Sequence, residues 1–580
     1  MQNEWRLRRI DNPDAVRRMQ RELNDIPEAL ARALVLRGID SYDRARNFFR
    51  PDRENLHDPF LMQDMDRAAD RVTRAVDRDE KILVYGDYDV DGTTATALMM
   101  RFLDNQGAEA SYFIPDRYRD GYGLSRRGID EALDRGADLI VALDCGITAH
   151  DMAQYVREQG VDLIICDHHT PGESIPEAVA VLDPKRPDCS YPFKELSGCG
   201  VGFKLAQAVL SRGGRDPEGA FRYLDLLALS IASDIVPIGG ENRILMRESL
   251  KIIREHPSPG VRALARRSDV DLETCTTSSI VFRLGPRINA AGRMDSAEKA
   301  VALMLARDRD EVDRLAADLD SLNRQRRSID RQIREEATEQ AREYMAGGEN
   351  NALVLFGEDW HLGVIGIVAS RVVEQFYRPT VMLCEVDGAV KGSARSVTGF
   401  NIYNALSECR ELLSRFGGHD YAAGMTLEKS DLPAFRDRLN RVVGETITTD
   451  QLVPKVDIDA PLDLEEITPR FWSVLSQFQP FGPANQRPVF LGEGLEVDGY
   501  PRIVGSGNLK FKVRQAGRTN GRVFPVIGFD MEEYLPLVKA SAEDGERFDL
   551  AFSLEENHWN GNRELQLKAK DLRATESLKV

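Results

Sequence analysis

Three aspartates, Asp87, Asp89 and Asp91, follow the apolar run Ile82-Leu83-Val84-Tyr85 and precede Gly92 and a segment rich in Thr and Ala. The run reads as a buried strand and the glycine as the turn into a helix, so three carboxylates crowd one strand end. Like charges at that spacing repel, and in a half-buried site a divalent cation taken by oxygen ligands neutralises them. A solvated acidic turn is the alternative, and such turns seldom sit behind a wholly apolar strand. Other unusual residues also close apolar runs: Asp144 ends DLIVALDCGI, Asp167-His168-His169 end VDLIICDHH, and Asp234 lies in LLALSIASDIVPI. Singly, each acid reads equally as a helix N-cap and each imidazole as a satisfied polar residue. Collected at successive strand ends, they form an oxygen-rich set with one or two imidazoles, which suits manganese or magnesium better than zinc.

The elements that must position them alternate. Apolar runs at Ile82 to Tyr85, Ala110 to Ile114, Asp138 to Leu143, Val161 to Ile165 and Ala178 to Leu182 are separated by helical patterns. This predicts a parallel sheet with helices on both faces, whose ligands bind at the carboxyl ends of the strands. From Asp310 to Met345 a 3-4 apolar spacing without Pro or Gly predicts a helix about 50 Å long. Its Arg324, Arg326, Arg327, Arg331 and Arg334 form either a solvated face or a set of phosphate contacts. A second α/β unit runs from Ala352 to about Val443. There Gly417 and Gly418 either let backbone N–H groups approach a phosphate or make an ordinary turn, and Ser393, Arg395 and His419 offer side-chain donors. From Lys455 onward, short alternating runs between Gly and Asn turns fit a small β-barrel of the oligonucleotide-binding type. Trp559 and Phe511 would stack on bases or fill its core. The first 80 residues are charged and helical, with a pair from Pro27 to Phe49 broken near Gly38, an appendage without visible chemistry.

At 580 residues and 42% hydrophobic content, three or four globular domains are expected. The boundaries fall at 1–80 (helical), 81–240 (catalytic), 241–350 (connecting, with the long helix), 351–450 (second α/β unit) and 451–580 (barrel). A net charge of −18 disfavours attraction of nucleic acid to the whole surface, so any such binding must be local. No apolar run reaches the roughly 18 residues that span a bilayer, and MQNEWRLRRIDNP lacks the apolar centre of a signal peptide. A cytoplasmic protein without membrane contact is therefore expected. Seven cysteines without a CxxC pair indicate neither disulfides nor zinc.

GDYDVDG (86–92), LDCGI (143–147), DHH (167–169) and SDIVP (233–237) resemble, in order and spacing, the successive motifs of the DHH phosphoesterase superfamily. IPDRYRDGYGLS (114–125), LGPRINAAGRM (284–294), KGSARS (391–396) and GGHDYAAGM (417–425) are similar to segments of its bacterial exonucleases, so the resemblance covers nearly the whole chain. Asp116 and Asp183 stand where Asn is commoner in that family, and neither is among the candidate ligands. The resemblance implies an α/β multidomain protein: a parallel-sheet DHH domain, a long connecting helix, a DHH-associated domain and a C-terminal OB-type barrel. It also implies hydrolysis of single-stranded DNA from the 5′ end to mononucleotides in recombination and repair.

With two Mn2+ or Mg2+ ions, Asp87, Asp89, Asp91, Asp144, His168 and Asp234 would be ligands or their immediate partners, bridged by Asp91 or Asp144. His169 would touch a metal, the scissile phosphate or the leaving group, and Asp167 would orient an imidazole. A stop for the terminal 5′ phosphate would draw on Arg117, Arg293, Ser393 and Arg395, with Gly418 and His419 as further donors and Tyr122 stacking on a base. Single-stranded DNA, single-strand-binding protein and other repair proteins are the expected partners of a monomer. An oligoribonucleotide or small-molecule phosphoesterase would share the DHH motifs but ordinarily lack the barrel. A non-catalytic DNA-binding scaffold would have lost motif acids, and none is missing here.

Overall fold

The computed structural model describes residues 3–348, 351–505, 507–518, 521–559 and 562–575, with the backbone alone at 558, 559 and 562. The chain forms two compact units, one from Asn55 to Leu452 and one that joins the residues up to Glu54 with those from Val453 onward.

The larger unit begins with α1 (Met65–Asp77), β1 (Ile82–Tyr85), α2 (Val90–Gln106), β2 (Ala110–Phe113), β3 (Leu139–Leu143), β4 (Asp162–Cys166) and β5 (Ala180–Leu182). The five strands are all parallel, in the order β2-β1-β3-β4-β5. Successive side chains of a strand point to opposite faces. Ile82 and Val84 accordingly pack with α1, α2, α3 (Gly198–Arg212) and α4 (Leu224–Ser233), while Leu83 and Tyr85 pack with Ile129, Ala132, Ala153 and Val156 of the opposite layer. With both faces covered, the polar residues are confined to the strand ends. Met65, Ala68, Ala69 and Val72 of α1 are fully or almost fully buried in this core, so the helical segment expected over 1–80 is divided near residue 55.

The long helix, α5 (Arg309–Ala346), has 38 residues, about 57 Å at 1.5 Å per residue. Val312, Leu315 and Leu319 of its first half join the core of the first sheet, and Ile333, Ala337 and Ala341 join the next one. That second sheet contains β6 (Leu353–Phe356), β7 (Thr380–Val386), β8 (Ala389–Arg395), β9 (Arg415–His419) and β10 (Ala422–Leu427), ordered β9-β10-β8-β7-β6, with α6 (Leu362–Phe376) packed between it and α5.

In the smaller unit, β11 (Phe490–Val497), β12 (Asn508–Gln515), β13 (Phe524–Gly528), β14 (Phe548–Trp559) and β15 (Asn562–Ala574) close into a ring. β11 pairs β14, β14 pairs β15, β15 pairs β13, β13 pairs β12 and β12 returns to β11. This is the expected barrel. Phe511 is 3% exposed and meets Phe548 inside it, so it is a core residue and not a stacking platform. The side chain of Trp559 lies outside the described residues. The N-terminal strand Glu4–Leu7 pairs in parallel with Lys455–Ile458. The helices Pro13–Glu22, Glu28–Val35 and Tyr42–Phe49 contribute Met19, Leu30, Leu34 and Phe48 to the core that holds Phe478 and Phe490. Their apolar faces need cover and find it on the barrel, so the helical pair is no free appendage.

All seven cysteines are buried free thiols. Among the described residues no helix is long and apolar enough to cross a membrane.

Candidate metal centre

At the carboxyl end of β1 the chain turns into α2, and Asp89 caps that helix, its Oδ1 accepting from the N–H groups of Asp91 (2.9 Å) and Gly92 (3.1 Å). Asp91 is held differently. Its carboxylate accepts from the N–H groups of Gly198 (2.6 Å) and Cys199 (2.9 Å) at the start of α3, and from the Ser230 hydroxyl (2.6 Å). A helix N-terminus is a natural seat for a carboxylate, and this one ties Asp91 to an element more than a hundred residues away. Asp144 leaves β3 at φ +63°, a left-handed conformation that costs a non-glycine residue energy and recurs at functional sites. It lies hard against Gly198, where a Cβ would come within 2.7 Å of its Oδ1.

His168 Nε2 lies 3.2 Å from Asp144, 3.5 Å from Asp234 and 3.7 Å from Asp91. Neither ring nitrogen has a hydrogen-bond partner, nor do Asp87 Oδ1, Asp144 Oδ1 and Asp234 Oδ2, although all are buried. Buried polar atoms are almost always paired, so His168 Nε2 with the unpaired oxygens of Asp144 and Asp234 beside it, and that of Asp87 in the adjoining group, fit a cation-binding site. Three overlapping donor sets satisfy that geometry: Asp87, Asp89 and Asp144; Asp91, His168 and Asp234; and Asp144, His168 and His169. Asp144 and His168 each belong to two of them.

The electrostatics agree. Burial first, and then the charges of neighbouring aspartates, push the carboxyls of Asp87, Asp89 and Asp144 up, and Asp234 up to about 9. Burial holds His168 below its ordinary value, hence neutral and free to donate a lone pair. Asp167 differs from its neighbours. Burial opposes its ionisation, but the hydrogen bond and charge of His169 outweigh that and lower its pKa. Its oxygens accept from the N–H groups of Ile147 and His168 (2.8 and 2.7 Å) and from His169 Nδ1 (2.7 Å), so this first residue of the DHH motif holds the ring of the third.

A pH-dependent stability follows. An acid whose folded-state pKa is raised binds its proton more tightly in the folded protein, so its contribution is present below the unfolded value and is lost as pH rises through the folded one. The window here opens near pH 4 and extends to about 9. Metal-free protein should lose thermal stability across it, and Mn2+ should restore several °C more at about pH 8.5 than at about pH 5.5. Thermal denaturation in chelator and in Mn2+ checks this; a gain that is absent, or equal at both pH values, would remove the cation from this cluster.

A second cluster, of cations, lies within the same unit. Arg117 stacks over Tyr88 at 4.6 Å from the ring centroid. Arg293 donates to the Gly363 carbonyl (3.0 Å), and Arg395 to Ser393 Oγ (2.9 Å). Burial and then the charges of Arg117, Arg326 and Arg395 lower Arg293 to about 10; Arg395 is lowered by burial and by Arg117. Among the described residues none of Arg117, Arg293 and Arg395 has a carboxylate at ion-pair distance. Gly366 leaves the room, since a Cβ there would sit 2.9 Å from Ser393 Oγ and 3.1 Å from Arg395 Nη2.

Of the five arginines from Arg324 to Arg334 on α5, Arg326 alone turns toward this cluster; Arg324 pairs with Asp320 (3.3 Å), and Arg327, Arg331 and Arg334 are exposed. Gly418 and His419 are not brought in. Ladder register puts His419 beside Ala422 and Ala422 beside Arg395, which leaves them exposed on β9, two strands away. Tyr122 stands at the metal end of its segment, against His169 and the Asp144 carbonyl. Sequence reasoning missed Tyr88, Tyr118, Ser230 and the α3 N-terminus. Only the glycine-rich SGCGVGF (197–203) carried a signal for the last of these.

The DHH family N-terminal domain matches residues 81–231, the DHHA1 domain residues 349–445 and the RecJ OB domain residues 458–571. The chain is 37% identical over 574 residues to a single-stranded-DNA-specific exonuclease RecJ of Bacillus subtilis, covering 99% of this chain and 71% of that one. It is 35% identical to the protein of that name from Salmonella typhimurium, covering 94% and 96% respectively. Among solved structures, RecJ of Thermus thermophilus in complex with Mn2+ superposes with a TM-score of 0.82 at 30% identity, covering 99% of this chain and 80% of that one. The same protein in complex with Mg2+ gives 0.76 at 28% identity over 99% and 79%.

Proposed function

Since the chain belongs to the RecJ family of single-stranded-DNA-specific exonucleases, we propose how its own residues carry that reaction. It is a metal-dependent exonuclease acting on single-stranded DNA, with Mn2+ or Mg2+ as cofactor. The observation that carries the assignment of residues is the convergence of unpaired donors from Asp87, Asp144, His168 and Asp234. Two divalent cations bound there would activate water, bind a nonbridging phosphate oxygen and stabilise the leaving 3′ oxygen.

Asp87, Asp89, Asp91, Asp144, His168 and Asp234 are the proposed holding set. Asp144, shared between two donor sets, would serve both cations more readily than Asp91, whose oxygens already accept three hydrogen bonds. His169, fixed by Asp167 and 39% exposed at its side chain, faces the substrate. The cluster of Arg117, Arg293 and Arg395 with Ser393 receives the terminal 5′ phosphate. Paired guanidinium forks without carboxylates suit a dianion, and such a stop sets digestion from 5′ to 3′ with release of mononucleotides. Gly418 and His419 then serve as outer donors to the strand.

The boundaries at 81–240, 241–350, 351–450 and 451–580 are kept as functional divisions, while the segment of 1–80 is shared, its part from Asn55 onward going with the catalytic division and its part up to Glu54 with the barrel. The barrel is the strand-binding part. The same reading makes the enzyme a cytoplasmic monomer working beside single-strand-binding, recombination and repair proteins.

The test uses end-labelled single strands and blunt duplexes. Single strands are degraded and duplex is spared. A fragment of residues 55–452, which removes the whole smaller unit with its N-terminal part, keeps metal-dependent cleavage but binds long single strands about tenfold more weakly or worse. Unchanged affinity of the folded fragment for long strands would contradict the barrel's role, and equal digestion of blunt duplex would contradict strand selectivity.

A further inference from the structure

We propose that the Tyr122 hydroxyl is a positioning group for the hydrolytic step, fixing the His169 ring and the turn at Asp144 against the metal-holding cluster; this rests on the nuclease reading above. The hydroxyl donates to the Asp144 backbone carbonyl (3.2 Å) and lies 3.0 Å from Nδ1 and 3.3 Å from Nε2 of His169. The two rings meet edge to face, centroids 5.5 Å apart at 72°. Both contacts fall on groups that need support. Asp144 holds its left-handed conformation at φ +63°, and a carbonyl fixed by a donor resists relaxation of that turn. The His169 ring is 39% exposed and otherwise hydrogen-bonds, among the described residues, to Asp167 at 2.7 Å. A half-exposed imidazole held by one carboxylate can swing about that bond, and the tyrosine hydroxyl, 3.0 Å from the same Nδ1 and 3.3 Å from Nε2, blocks that motion.

The loop that carries Tyr122 is anchored just after it, where the Gly123 carbonyl accepts from the buried Tyr85 hydroxyl (3.0 Å). Tyr122 sits between Gly121 (φ +79°) and Gly123 (φ +86°), each with open space where a Cβ would be. The hydroxyl contacts then fix the ring within that loop. The segment reaches the other cluster too, since Arg117 belongs to that cluster and the Tyr118 hydroxyl donates to the Arg293 carbonyl (2.6 Å). One stretch of six residues thus touches the cation cluster at one end and His169 at the other. A strand end seated on the arginines is registered by the same segment that orients His169.

The test separates the hydroxyl from the ring. Stacking on a base needs only the ring, so Tyr122→Phe would then be neutral and Tyr122→Leu would raise KM. A positioning hydroxyl gives a different pattern. Tyr122→Phe should lower kcat about five- to tenfold, the effect of one lost neutral hydrogen bond, with KM for 5′-phosphorylated single strands little changed. In a His169→Ala background, Tyr122→Phe should cost clearly less in single-turnover rate than it does in the wild type, because only its contact with the Asp144 carbonyl is then left to lose. Wild-type kcat in Tyr122→Phe, a change confined to KM, or full additivity with His169→Ala would overturn the inference alone. A wild-type protein inert on single strands in Mn2+ would overturn the nuclease reading and the inference together.

Discussion

Alanine at Asp89 or at His168 should leave the protein folded and able to bind single-stranded DNA while hydrolysis falls by about three orders of magnitude or more. The two residues reach that result by different routes. His168 makes no hydrogen bond through its ring, so its removal costs packing but no polar partner, and it empties the position nearest Asp144 and Asp234. Asp89 caps α2, and loss of a cap costs about 1 kcal/mol. Against that cost stands relief of its repulsion with Asp87 and Asp91, which shows in the raised carboxyls of Asp87 and Asp89. Circular dichroism and strand binding in chelator should match the wild type, and cleavage in Mn2+ or Mg2+ should not recover at any metal concentration. Near-normal turnover by either variant would remove these residues from the metal site.

Arg395→Ala should abolish the distinction between 5′-phosphorylated and 5′-hydroxyl single strands. The wild type should favour the phosphorylated end, and the variant should lose about 10- to 100-fold of that preference, the range expected when a charge-assisted hydrogen bond to phosphate is removed. Metal-dependent cleavage of the hydroxyl-ended strand should change much less. The variant should fold well: Arg395 has no carboxylate to strand, and its removal takes one positive charge from beside Arg117. A wild type indifferent to the end group would show that these arginines serve some other purpose, and Arg117 and Arg293 would fall with Arg395.

The sheet that bears the metal centre was readable because each strand is a short, wholly apolar run with its acids just beyond it. Ile82 to Tyr85, Leu139 to Leu143 and Asp162 to Cys166 match the expected strands to within a residue or two. The clustering of the acids was readable for the same reason, since burial on both faces leaves polar groups only the strand ends. What escaped depends on contacts that no local pattern encodes. Asp91 is seated by N–H groups from the start of α3, brought in by folding. Which of the five arginines between Arg324 and Arg334 of α5 turns inward depends on the rotation of that helix about its axis, set by apolar contacts with two different cores. Phe511 and the N-terminal helices were ambiguous because an apolar residue in a short barrel strand or an amphipathic helix specifies that it will be covered, not by what. Tyr122 was read as a base platform from its ring, whereas its hydroxyl faces His169.

The central claim is that the Asp/His cluster cleaves a strand held by its 5′ end, and the first product released from a labelled single strand tests it most directly. With the 5′-terminal nucleotide labelled, wild-type protein in Mn2+ should release the label at once as a mononucleotide while the rest of the strand is still long, and chelator should stop it. Label placed at the 3′ end should appear in small products only late. Early release from the 3′ end, internal fragments as first products, or digestion that continues in chelator would contradict the account.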